Sequence, residues 1–200
     1  MHVTRTRRQI IGSALGLAGV AAAARFGAAV AAGVGVSDIE SAASALEQAV
    51  RIWPPGRLMF PVQLPADLIL LDNFGAQRLF GSGPHQGIDI GRSDALPGQP
   101  LVACLDGILE AQTVMGANEG NSWVILDAAG DRYRYHHLES FAPGLTVGSV
   151  VTRGQVIGTM GSTGNPSSPH LHFEVRRGAS RTPVDPVPFL GLPIPGITVI

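Results

Sequence analysis

Ser167-Ser168-Pro169-His170-Leu171-His172-Phe173-Glu174-Val175 decides how this chain folds. Side chains alternate between the two faces of a β-strand. Leu171, Phe173 and Val175 fall on one face, which belongs to a core, and His170, His172 and Glu174 fall on the other. The stretch reads as a strand that sends two imidazoles into one space, about 7 Å apart at their α-carbons for a rise of ~3.3 Å per residue. Glu174 reads as a solvated carboxylate at the strand end, the alternative being a partner that orients an imidazole.

Outward from this strand the same texture repeats. Short β-branched or alternating runs occur at 100–105, 107–113, 122–127, 132–138 and 155–160. Turn-forming clusters separate them: Asp106-Gly107, Gly116 to Asn121, Ala129-Gly130-Asp131 and Gly161 to Pro166. Glycine (26) and proline (15) exceed a fifth of the 200 residues, and 45% of the chain is hydrophobic, enough for a real core. The fold class this predicts is mainly β, an antiparallel sheet domain beginning near Phe74. The chain after Arg181, with Val184-Asp185-Pro186, is expected to run irregularly over the surface.

The N-terminal part has a different character. Thr6-Arg7-Arg8-Gln9-Ile10-Ile11 sets paired arginines before an apolar run from Ile10 to Ala24. This looks like a twin-arginine export signal over residues 1–36, with Ala29-Val30-Ala31 as a cleavage site. The run is short for a span, which needs ~20 apolar residues. An uncleaved N-terminal anchor is the alternative, and both readings place the rest of the chain outside the cytoplasm, in the periplasm or the cell wall. Ser37-Asp38-Ile39-Glu40 has the form of a capping box. Ile39, Ala42, Ala43, Leu46, Val50 and Trp53 follow at helical spacing until Pro54-Pro55 forbids continuation. One short helix over about 38–52 is therefore expected, then a proline-rich connecting arm to residue 72, with no clear period.

Charge and cysteine usage exclude several classes. All 14 basic residues are arginine. Cleavage after Ala31 would remove four of them and no acid, leaving 10 arginines against 15 carboxylates, a charge of −5. Such a domain has no electrostatic footprint for nucleic acid or for stable membrane association. Cys104 is the only cysteine and reads as a small buried hydrophobe, so no internal disulfide forms.

Five histidines fall within the β-domain. In the extended segment His85-Gln86-Gly87-Ile88-Asp89, residues four apart share a face, so His85 and Asp89 look the same way. Together with one histidine of the opening stretch they make two nitrogens and one oxygen, the donor set of a catalytic zinc with an open position. Spacing does not say whether His170 or His172 completes it. In Tyr133-Arg134-Tyr135-His136-His137-Leu138, alternation lets only one of His136 and His137 share the site, and does not say which.

These residues resemble the zinc peptidases of the lysostaphin and LytM type, peptidase family M23, which cut peptide cross-links in bacterial peptidoglycan. The resemblance runs from about Phe74 to Leu190. It rests on His-x-Gly-Ile-Asp-Ile at 85–90, Pro100-Leu-Val-Ala103 with Asp106-Gly107, and Tyr-x-His-Leu at 135–138. It continues through Gly154-Gln-x-Ile-Gly158, Gly161-Ser-Thr-Gly164 and His170-Leu-His-Phe-Glu-Val175. What it implies is a LytM-like duplicated hybrid motif at 73–190, with a substrate groove and a short tail at 191–200. It implies one Zn²⁺ held by His85, Asp89 and His172, with His137 and His170 as the catalytic pair and Tyr135 touching substrate. His136 becomes a bystander. The implied activity is a zinc metalloendopeptidase acting on peptidoglycan cross-link peptides. The alternative is an inactive module of the same fold that binds peptidoglycan or regulates another wall hydrolase. A lysine-modified carrier domain is excluded by the absence of lysine. The three residues between His85 and Asp89 separate the chain from D-alanyl-D-alanine carboxypeptidases, which place more residues there. The stretches Met115 to Asn121 and Gly161 to Ser168 are the expected groove walls.

Overall fold

Alternating apolar residues pair into a sheet only if each strand finds neighbours that bury the same face. The computed structural model describes residues 58–64, 66–77, 83–166 and 168–200. The export signal expected over 1–36 and the helix expected over 38–52 lie outside them. The strands are β1 Leu68–Leu71, β2 Ile88–Arg92, β3 Pro100–Val102, β4 Gly107–Gly116, β5 Gly120–Leu126 and β6 Arg132–Phe141. They continue with β7 Val150–Val151, β8 Val156–Met160, β9 His170–Arg177, β10 Thr182–Val184 and β11 Ile197–Val199. The main path of the sheet runs β11-β1-β2-β9-β6-β5-β4-β7, with β10 on β9 and β8 bridging β3 and β6. Every pairing is antiparallel except β1 with β11. The fold is thus the mainly β, antiparallel-dominated domain that the alternation predicts.

Strand β9 sits between β2 and β6, and that placement builds the site. Leu171 and Phe173 are fully buried and Val175 nearly so. Phe173 stacks edge-on to Tyr135 of β6 at 5.2 Å between ring centroids. Each such side chain removed from water contributes about 1.5–3 kcal/mol. Across the sheet Asp89 lies opposite His172, and His172 lies opposite His136. Gly87 lets β2 approach this closely: a Cβ there would collide with the Phe173 carbonyl and crowd the Glu174 side chain.

Two terminal segments depart from expectation. Residues 58–72 are more than a connecting arm. Phe60 and Val62 are buried in the core, Val62 bridges to Leu101, and Leu68–Leu71 forms β1. The chain after Arg181 is not irregular throughout, since it forms β10, a 3-10 turn at Val187–Phe189 and β11 beside β1. In both segments prolines break the run too often for a period to show, while pairing with distant strands supplies the order. Cys104 is free and fully buried, as expected. No helix among the described residues is long and apolar enough to cross a membrane.

Candidate metal centre

The polar face of β9 is not wet. His172 and Glu174 are each only 4% exposed, and with His85 and Asp89 they line a groove of about 890 Å³. Asp89 comes from β2 and His172 from β9, on directly paired positions. His85 precedes β2 and is held by backbone hydrogen bonds against the turn at Gly75 and Ala76.

Three donor atoms converge here. His172 Nδ1 lies 2.9 Å from Asp89 Oδ1 and 3.0 Å from His85 Nε2, and His85 Nε2 lies 3.3 Å from Asp89 Oδ1. The reverse side of each group explains why. His85 Nδ1 donates to the Asn73 carbonyl at 3.2 Å, and His172 Nε2 donates to Glu174 Oε1 at 3.1 Å. A carbonyl and a carboxylate only accept, so the ring protons sit on those nitrogens and leave the lone pairs of His85 Nε2 and His172 Nδ1 pointing inward. Asp89 Oδ2 likewise accepts from Asn73 Nδ2 at 3.0 Å, which turns Oδ1 inward. Tetrahedral zinc bonds of about 2.0–2.1 Å place neighbouring donors roughly 3.3 Å apart. The residues therefore fit a Zn²⁺ ion in number, chemistry and spacing.

Charge supports the same fit. Burial works against ionisation of Asp89, and the hydrogen bonds that overcome it, from His172, His85 and Asn73, hold its carboxyl far below the usual range when the two imidazoles carry a second, inward proton in the place of a cation. Burial opposes the charge of Glu174 too, and hydrogen bonds from His172 and Arg176 more than offset it. Arg176 Nε meets Glu174 Oε2 at 2.6 Å. Glu174 is thus no solvated strand end but a buried anchor behind His172. It is fixed in turn by a guanidinium, the support that gives metal-binding imidazoles their orientation.

His137 and His170 stand beside this cluster, their rings 4.8 Å apart. His137 Nδ1 donates to the Thr163 carbonyl at 2.9 Å, and His170 Nδ1 to the Ser168 carbonyl at 2.8 Å. Both Nε2 atoms therefore face the groove as lone pairs, and that of His170 comes within 3.6 Å of Asp89 Oδ1. Burial pushes the imidazole of His137 down to about 4. The carbonyl that holds it belongs to a loop locked to its neighbour. Thr163 Oγ1 accepts from Asn121 N and donates to the Leu138 carbonyl, each at 2.8 Å, and Gly120 (φ +61°) passes where any Cβ would strike Thr163. Asn118 and Glu119 on one side, and Asn165 and Pro166 on the other, line the groove, within the two stretches expected as its walls.

Two further expectations fail. Strand alternation allowed only one of His136 and His137 into the site, yet both line the groove. His137 has φ +65°, and its N–H leaves the β5 ladder to reach the Glu119 carbonyl at 2.9 Å. The register with β5 shifts between Asn121 and Trp123, so successive side chains turn to one face, as in a β-bulge. His136 is consequently a neighbour of the site, its ring 5.2 Å from that of His172 and its buried Nε2 without a partner among the described residues. Tyr135, expected to touch substrate, is fully buried. Its hydroxyl donates to the Val102 carbonyl at 3.0 Å and accepts from Cys104 N at 2.9 Å, so it braces the core beneath the site. Asn73, Thr163 and Arg134 had no sequence signal, because each acts through a loop or a cross-strand contact.

Comparison with known proteins gives a consistent result. The family model "Peptidase family M23" matches residues 83–186. The "L-Ala--D-Glu endopeptidase" of Bacillus subtilis (strain 168) is 33% identical over 147 residues, covering 68% of this chain and 43% of that protein. The "DD-carboxypeptidase/endopeptidase Mpg" of Neisseria meningitidis serogroup B is 38% identical over 114 residues, covering 57% of this chain and 24% of the relative. This chain thus spans less than half the length of either relative. Among solved structures, a putative glycyl-glycine endopeptidase lytM from Ruminococcus gnavus superposes with a TM-score of 0.59 at 26% identity, covering 71% of this chain and 62% of that one.

Proposed function

This chain belongs to peptidase family M23, and on that premise we propose that it is a zinc-dependent endopeptidase cleaving peptide cross-links of bacterial peptidoglycan. One observation carries the reading. The outer atoms of His85, Asp89 and His172 are all engaged, so three lone pairs meet within 2.9–3.3 Å. Such a set repels itself unless a cation or a proton sits between its members. The relatives named as endopeptidases point the same way. A complete donor set also speaks against the inactive-module alternative, which needs no such site.

Bound by these three residues, Zn²⁺ supplies Lewis acidity, polarising a scissile carbonyl and lowering the pKa of a water from 15.7 toward ~7. The remaining work belongs to His137 and His170. Their Nδ1–H groups stay on backbone carbonyls, so proton exchange runs through the two Nε2 atoms. Between them they orient the attacking water, take its proton, donate to the oxyanion as charge develops and hand a proton to the leaving amine. Glu174 and Asn73 hold the ligands in their working tautomers and rotamers. The substrate lies outside the cytoplasm, where the export signal expected in residues 1–36 would deliver the domain.

The test is metal content together with peptidoglycan digestion. Purified full-length chain should carry one zinc, release soluble peptide fragments from peptidoglycan, stop after chelation and resume on zinc addition. Digestion unaffected by chelator would sink the zinc dependence, and zinc-free protein that binds peptidoglycan without cutting it would sink this reading in favour of the binding module.

A further inference from the structure

The groove carries an unequal charge account on one side of the metal centre. Arg134 of β6 lies opposite Glu174 of β9, and both line the groove with Arg176. Two guanidiniums therefore share one carboxylate. Arg176 takes the better share: its Nε is 2.6 Å from Glu174 Oε2, and its other nitrogens are placed on Gln86 Oε1 and the Arg181 carbonyl. Glu174 is further committed to His172. What remains for Arg134 is a single long contact, Nη1 to Glu174 Oε2 at 3.5 Å. Neighbouring arginines differ: Arg132 forms a two-pronged pair with Glu110 at 2.6 Å, and Arg177 meets Asp131 at 2.8 Å. Among the described residues Arg134 thus holds unused donors at the groove surface, with its side chain 35% exposed.

We infer that Arg134 forms a carboxylate-binding subsite, and that the preferred substrate is an acidic stem peptide rather than a neutral glycine bridge. A guanidinium offers a planar fork of donors that matches a carboxylate two-to-two. Its placement suits recognition next to the reacting bond, because a single carboxylate, that of Glu174, separates it from the zinc ligand His172. The other groove residues do not compete for the role. His136 beside it is buried, only 8% exposed, and offers no planar fork of donors. The apolar lining is limited to small side chains such as Ala76, Pro84 and Pro166, leaving no large hydrophobic pocket for an uncharged anchor. The inference rests on the endopeptidase reading above and narrows it to a substrate class.

The test uses the full chain, a glycine-bridged peptide and three synthetic cross-linked stem peptides of identical sequence. One has all carboxyls free, one is amidated only at the chain terminus, and one only at the side-chain carboxyl of the diamino acid. Wild type should favour the free acid over one of the amidated forms by about tenfold in kcat/KM, as a charge-assisted pair at a half-exposed site allows. Which amidation matters identifies the carboxylate. Arg134→Gln should lose that preference, the free-acid substrate falling about tenfold further than the amidated form, chiefly in KM. Direct binding of the same peptides to chelator-treated protein should show the same order, lost in Arg134→Gln. Equal treatment of all three peptides by wild type, an equal loss on all three in the variant, or cleavage confined to glycine-rich peptides would overturn the subsite while leaving the peptidase intact. Absence of cleavage of any peptide would defeat the endopeptidase reading, and the binding order would still decide the subsite.

Discussion

His172 and Glu174 sit two residues apart on one strand, and the imidazole Nε2–H of the first is bonded to the carboxylate Oε1 of the second at 3.1 Å, both side chains being about 95% buried. This short-range pair sets which nitrogen of His172 faces Asp89 and His85. Glu174→Gln keeps the shape but replaces an acceptor-only group with an amide, so the tautomer lock loosens. Zinc affinity, read by competition with a chromogenic chelator, should fall about 10–100-fold while the far-ultraviolet spectrum stays unchanged. Unchanged affinity would reduce Glu174 to a structural ion pair with Arg176.

Gly87 tests the strand spacing behind the site. A methyl group there meets the Phe173 carbonyl, so Gly87→Ala must push β2 away from β9. Denaturant unfolding should show a loss of about 1–3 kcal/mol, the usual cost of overpacking. Zinc affinity should drop with it, because Asp89 and His172 face each other across that pairing.

Tyr135→Phe separates bracing from substrate contact. Removing the hydroxyl leaves the Val102 carbonyl and the Cys104 N–H without their buried partner. Stability should fall by about 1–3 kcal/mol. The Michaelis constant should not move, since Tyr135 does not reach the groove. A raised KM at unchanged stability would restore the residue to the substrate site.

Much of this architecture was legible in residues 170–175, because the strand has both sides defined: Leu171, Phe173 and Val175 in the core, His170, His172 and Glu174 toward the groove. Alternation could also place His85 and Asp89 together, although His85 precedes the strand. It failed at His136 and His137, where one residue with φ +65° turns the pattern over, and nothing in the local sequence announces a positive φ on histidine. It failed again for Leu68–Leu71 and Ile197–Val199, which are too short to show a period and are ordered by pairing with each other. The burial of Glu174 was unreadable for a related reason. A carboxylate on the polar side of a strand looks solvated until Arg134 and Arg176 close over it.

Cys104 gives a pH-dependent prediction away from the metal. Burial raises its thiol from an ordinary 9.0 to about 12. The folded state therefore favours the protonated form, so this contribution to stability is complete below pH 9 and is lost as pH rises toward 12. At pH 8 the folded protein should resist alkylation by iodoacetamide, and the same reagent should modify Cys104 fully in denaturant. Rapid labelling of the native protein would contradict its burial.

The division of labour between the two histidines of β9 is the central claim, and one paired measurement tests it most directly: zinc content and turnover of His172→Ala and His170→Ala, side by side with wild type. His172→Ala should lose zinc and activity together, since it removes one of three converging donors. His170→Ala should retain wild-type zinc while turnover falls by about 10²–10⁴-fold, the range for a lost general acid–base group. Zinc lost as completely from His170→Ala as from His172→Ala would contradict the account.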